Sequence, residues 1–210
     1  LAPRLAEHFH VVALDFRGHG DSEYPEQLTV GGFSDDVEAL LEHLGTRQVV
    51  LVGHSMGAHV ALDHAARHPE TRALVLIDLS RGAGQRSRRA ARLALLLRRS
   101  YATHAEAVSR FRFLPSSDRA EEGLRRSIAE HSVRQQVDGR YGFKFDARWF
   151  GLASKPAPDP GTVGCPTLLV RGADSGLLTR TGAEALVGEL KSARLVEVAG
   201  QHQEDVVVVL

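Results

Sequence analysis

Hydrophobic residues in this chain gather in short runs, set apart by longer stretches in which they recur every third or fourth position. Val11 to Phe16, Val49 to Val52, Leu74 to Ile77, Leu168 to Val170 and Leu195 to Val198 are brief apolar runs, the pattern of strands buried in a parallel sheet. Between them, Phe33, Val37, Leu40, Leu41 and Leu44 repeat at helical spacing, with Asp35, Asp36, Glu38 and Glu42 on the other side. Gly45 follows as the expected C-cap. Ala58 to His68 is rich in alanine and stops at Pro69, and Thr181 to Leu190 repeats the helical pattern through Leu186, Val187 and Leu190. Strands alternating with helices predict an α/β fold, a mostly parallel sheet with helices on both faces.

The rhythm breaks once. About 90 residues separate Ile77 from Thr167, too many for one crossover. The intervening stretch is arginine-rich and helical in character, and ends in the loop-like Lys155-Pro156-Ala157-Pro158-Asp159-Pro160-Gly161. It predicts a helical cap over residues 81–160, inserted between two strands, with residues 1–80 and 161–210 forming the core. Arg81 to Arg99 holds seven arginines and no acid. A solvated helix face over Leu93, Leu95, Leu96 and Leu97 accounts for them, and steering of an anionic substrate is the sharper alternative.

Composition narrows the partners. At 210 residues the chain suits one domain, with or without an insertion. Its 26 basic side chains equal its 26 acidic ones, so overall charge makes no case for nucleic acid. Cys165 is the single cysteine; it cannot form an internal disulfide and reads as a small packed residue beside Pro166, in keeping with a reducing compartment. The spacing of cysteine and histidine suggests no structural zinc, and no cofactor is expected. No apolar run approaches the roughly 18 residues of a membrane span. These features predict a soluble, cytoplasmic protein without a membrane partner.

The chemistry is concentrated in Gly53-His54-Ser55-Met56-Gly57, which lies directly between a predicted strand and a predicted helix. A serine with glycine two places away on either side, at such a junction, is a nucleophile elbow: glycine permits the tight turn, and the turn lifts the hydroxyl above the sheet. Ser55 is therefore the candidate nucleophile. A serine hydroxyl needs a histidine to take its proton and a carboxylate to orient that histidine. Both partners are expected just past later strands, because pockets in parallel sheets open at the C-terminal ends. Asp174 follows Leu168 to Val170, and His202 follows Leu195 to Val198. Asp78, at the end of the strand before the insertion, is the alternative acid. His54 and His59 stand too near Ser55 in sequence to serve as its base, and His54 is expected to shape the pocket.

With these residues in place, the chain resembles the α/β-hydrolase superfamily along nearly its whole length. Asp15-Phe16-Arg17-Gly18-His19-Gly20-Asp21-Ser22 resembles the turn after the family's fourth strand. Gly53 to Gly57 matches the elbow, Arg171-Gly172-Ala173-Asp174 the acid turn and Gly200-Gln201-His202 the histidine loop. The resemblance implies that the backbone N–H of Met56 is one oxyanion-hole donor, and that the family's first three strands and second donor are absent from this sequence. It further implies hydrolysis of a small ester-like substrate (a carboxylic ester, thioester or lactone) through an acyl-enzyme. The same triad serves C–C bond hydrolases and cofactor-free haloperoxidases, and some members of the fold only bind ligands. Serine in the elbow argues against haloalkane dehalogenases and epoxide hydrolases, which carry aspartate there. A sheet edge left open by the missing strands would invite a homodimer. Cap aromatics Phe111, Phe113, Trp149 and Phe150 are candidate pocket residues, equally open to a packing role.

Overall fold

Four parallel strands carry the core, and their order follows from which apolar runs find a neighbour. The computed structural model describes residues 2–79, 100–112, 121–152 and 158–199. His202, Phe113 and the arginine-rich stretch 81–99 lie outside the described residues. After a short helix α1 (Ala2–Leu5) come α2 (Val30–His43), β1 (Val50–His54), α3 (Met56–Arg67) and β2 (Ala73–Ile77). Further along are α4 (His104–Arg110), α5 (Glu122–His131), the short strands β3 (Val133–Gln135) and β4 (Tyr141–Phe143), then β5 (Thr167–Gly172), α6 (Arg180–Glu189) and β6 (Ala193–Val198). The main sheet runs β1-β2-β5-β6, parallel throughout.

The predicted helices and four of the five predicted strands are present, shifted by a few residues at their ends. The α2 stripe buries Phe33, Val37 and Leu41. Gly45 takes φ 65, and the Thr46 N–H reaches the Leu41 carbonyl at 3.1 Å while the Gly45 N–H reaches Glu42 at 3.1 Å, a paired closure that satisfies the helix's last carbonyls. Val11 to Phe16 is the exception, because it forms no strand. A strand is made by its hydrogen-bonded neighbour as much as by its apolar residues. Among the described residues β1 stands at the sheet edge with no ladder to this run, and Val12 and Ala13 are exposed.

The chain divides into two compact units. The first holds Leu1–Leu14, Gly31–Gly82 and Ser154–Leu210, and within it α3 packs on β1 and β2 while α6 packs on β5 and β6. Its centre is Leu74, Leu76 and Leu169, each at most 1% exposed.

The second unit is Asp15–Val30 with Ala83–Ala153. The sequence pattern predicts a helical cap over residues 81–160; alongside helices α4 and α5, the described residues also hold a hairpin. Val133–Gln135 and Tyr141–Phe143 form an antiparallel hairpin around Asp138-Gly139, with Gly139 at φ 78; aspartate-glycine supplies the left-handed turn such a hairpin needs. The Asp15 to Ser22 turn belongs to this unit. A Cβ on Gly20 (φ 53) would land on the Asp15 carboxylate, which accepts from the Asp21 N–H at 3.1 Å. The turn is pinned by Asp146 N–H to the Gly18 carbonyl (2.7 Å) and Gly20 N–H to the Lys144 carbonyl (3.0 Å). Arg148 donates to the Glu26 and Pro25 carbonyls, each at 2.6 Å, and to the Asp146 carboxylate. Phe111 lies 5.7 Å from the Phe143 ring and Trp149 6.4 Å from Phe145, so both aromatics take part in packing.

Leu76 has no exposed surface, and Leu76→Ala removes its packing where the sheet cannot collapse. It is expected to cost about 2–5 kcal/mol, read as a fall in the urea midpoint without a change in slope.

Candidate active site

The geometry begins with Gly53. A Cβ at that position would lie 2.6 Å from the Ala58 nitrogen and closer still to the Gly57 carbonyl, a separation no real side chain tolerates. With only hydrogen there, β1 passes directly into α3. Ser55 occupies the junction at φ 48 and ψ −107, with no side-chain capping bond. That backbone is strained for any residue with a Cβ. It is held by the Ser55 N–H, which donates to the Ile77 carbonyl of β2 at 3.0 Å. Met56 opens α3, so its N–H is among the first-turn donors that have no partner within the helix.

Asp78 shares the strain. Among the described residues, Ser55 and Asp78 are the two non-glycine positions with positive φ, at 48 and 49. They follow β1 and β2, whose last residues His54 and Ile77 are in register. Asp78 is 4% exposed, its N–H donates to the Val170 carbonyl at 2.9 Å, and its Oδ1 is buried without a hydrogen-bond partner. His54 Nε2 is likewise buried and unpartnered. Burial lowers the His54 pKa from its usual value, with the nearby Asp78 charge partly opposing. His54 is therefore a neutral imidazole near pH 7.

Asp174 lies just past β5, in an exposed turn. The turn is closed by Ser175 N–H to the Gly172 carbonyl at 3.0 Å, and Ala173 N–H donates to the Val198 carbonyl of β6 at 2.9 Å. Arg171 braces it from below. This buried guanidinium donates to the Ala173 carbonyl at 3.0 Å and the Leu178 carbonyl at 3.1 Å, and pairs with Glu197. Three of the sequence's candidate residues (Ser55, Asp174 and the alternative Asp78) thus follow the C-terminal ends of parallel strands in one sheet. Met56 stands directly after the first. His202 is outside the described residues. Arg171 had no signal in the sequence beyond its place in the acid turn, because its role depends on carbonyls contributed by the folded loop.

Comparison with known proteins agrees with this architecture. The family model described as "Alpha/beta hydrolase family" matches residues 1–208. Lipase LipV of Mycobacterium tuberculosis is 33% identical over 177 residues, covering 80% of this chain and 67% of that protein. The 2-(acetamidomethylene)succinate hydrolase of Mesorhizobium japonicum is 38% identical over 79 residues, 37% of this chain but only 28% of that protein's length. The crystal structure of an E-2-(acetamidomethylene)succinate hydrolase superposes with a TM-score of 0.76 at 26% identity, covering 97% of this chain and 78% of that one. Among the described residues, no helix is long and apolar enough to cross a membrane.

Two outcomes follow from this geometry. Gly53→Ala drives a methyl into the Gly57–Ala58 backbone and is expected to cost about 1–3 kcal/mol or more, measured by urea unfolding. Stability is also expected to fall as pH drops below about 6.5. The unfolded chain then binds protons that the part-buried His54 and the buried His64, both shifted down by burial, resist binding when folded. His54→Asn should flatten the pH dependence of the urea midpoint, leaving the contribution of His64.

Proposed function

Given that the chain belongs to the alpha/beta hydrolase family, we propose that it is a serine hydrolase acting on a carboxylic ester, thioester or lactone through an acyl-enzyme. The observation that carries the reading is Ser55 at φ 48 on the strand-to-helix junction, a strained backbone that presents a hydroxyl where a helix N-terminus can stabilise developing negative charge. Ser55 Oγ attacks the carbonyl carbon while His202 takes its proton. The Met56 N–H donates to the oxyanion of the tetrahedral intermediate. Collapse expels the alcohol or thiol, which receives the proton from His202, and leaves the acyl group on Ser55. Water, deprotonated by His202, then releases the acid and restores the serine. Asp174 holds His202 in the tautomer that accepts at Nε2 and stabilises its charged form.

One observation favours a second reading of the acid. Asp78 has a buried, unpartnered carboxylate oxygen at the end of the strand adjacent to Ser55, whereas Asp174 is exposed. The two assignments separate cleanly: with Asp174 as the acid, Asp174→Asn lowers kcat on an aryl ester by about 10⁴-fold and Asp78→Asn has the lesser effect. The reverse ranking would move the role to Asp78.

Intact mass after exposure to a fluorophosphonate is expected to show one adduct on the wild type and none on Ser55→Ala, with turnover of short aryl esters lost in the same variant. A folded wild-type protein that neither labels nor turns over esters would overturn the reading and favour a ligand-binding role.

A further inference from the structure

The far end of α3 carries a second cluster of reactive groups, which the hydrolase reading does not use. His64 and His68 are four residues apart, which brings them to one face at the end of a helix. Their rings stack at 4.2 Å between centroids, with 17° between planes. Glu38 reaches them from α2: its Oε1 lies 2.6 Å from His68 Nε2 and 3.7 Å from His64 Nδ1. One donor atom from each of the three lies within 4.8 Å of the other two. A small pocket of about 70 Å³ opens at this point, lined by Glu38, His64 and His68 together with Leu41, Arg47 and Glu70.

Two details set this cluster apart from an ordinary surface charge network. His64 is 3% exposed, yet its Nδ1 has no hydrogen-bond partner; a buried polar atom left unpaired is costly and calls for a ligand. Glu38 is too far to supply a hydrogen bond. His68 is engaged from both sides, with Nε2 toward Glu38 and Nδ1 3.4 Å from Glu70 Oε1. A carboxylate on the remote ring nitrogen fixes the tautomer and orientation of a metal-bound imidazole.

We propose that Glu38, His64 and His68 form a binding site for a divalent transition ion of the zinc class, which fastens the C-terminal end of α3 to α2. Two nitrogens and one carboxylate oxygen are the donor set such ions prefer. Around a tetrahedral ion with bonds of roughly 2.0–2.1 Å, ligand atoms stand about 3.3 Å apart. The 2.6 and 3.7 Å separations from Glu38 bracket that value, and to share one ion the two stacked rings turn out of parallel, so that each lone pair faces it. The pocket leaves the fourth position to water. Arg67 also pairs with Glu38 at 3.1 Å, but its other guanidinium nitrogen is held by Asp63 at 3.1 Å, and it can stay with that partner when Glu38 turns to the ion. The site is about nine helical residues, or roughly 14 Å, from Ser55, so its ion takes no part in acyl transfer.

Cobalt(II) is the probe, because its visible absorption reports nitrogen-oxygen coordination directly. Titration of the intact protein is expected to saturate at one equivalent with tetrahedral d–d bands, to be displaced by zinc(II), and to raise Tm. Glu38→Gln and His68→Gln, both at partly exposed positions where the fold should survive, are each expected to weaken binding by at least tenfold. His202→Ala is expected to leave it intact. No saturable binding to the wild type would overturn the proposal, as would binding undiminished in both cluster variants. Loss of binding in His202→Ala would also overturn it, since the ion would then belong to the catalytic histidine.

Discussion

A strand can turn directly into a helix packed against it only where the two backbones nearly touch, and here that contact is Gly53 over Gly57 and Ala58. Everything at the C-terminal edge of the sheet is arranged from it. The close approach forces Ser55 into its left-handed backbone, and the same residue's N–H ties the junction to Ile77. Asp78 N–H then reaches Val170, and Ala173 N–H reaches Val198. The loops past β1, β2 and β5 are thus each anchored to the next strand along. The edge is a row of loops whose backbone positions are set by hydrogen bonds to neighbouring strands.

The legible part of this arrangement was the part written in local patterns. Helical spacing in α2, the glycine at its end, the β-branched run before Gly53 and the alanine-rich stretch after it each point to their element without help from the rest of the chain. The hairpin at Asp138-Gly139 was equally local, yet its arginine-rich and helical neighbourhood masked it. Val11 to Phe16 failed for the opposite reason: its composition suits a strand, but a strand depends on a neighbour that the run itself cannot specify.

The site divides along the same line. Ser55 was readable because the elbow needs particular residues at fixed offsets. The burial of Asp78 and the bracing by Arg171 depend on which carbonyls and apolar side chains the fold delivers, and neither follows from spacing. The Glu38, His64 and His68 cluster is half legible: the two histidines are four apart in one helix, while the carboxylate comes from another helix 26 residues earlier than His64. Ser34 Oγ, which donates to Asp63 at 2.7 Å, extends the polar seam between these helices. This seam joins α2 and α3 through polar contacts, beside the buried apolar stripe of Phe33, Val37 and Leu41.

Ser55 and Asp78 together carry a consequence for how this protein can vary. A left-handed backbone with a Cβ costs on the order of 1–3 kcal/mol at each position, against a total stability for a typical domain of about 5–15 kcal/mol. Stability alone would place glycine at both. Keeping a hydroxyl and a carboxylate there makes the rest of the first unit a reserve: Leu74, Leu76 and Leu169 must pack well enough to carry two misfits that do not help the chain fold. Substitutions that loosen that interior would erode the tolerance for strain at the sheet edge, and the protein's freedom to drift in sequence is correspondingly narrower beneath Ser55 and Asp78 than on its outer faces.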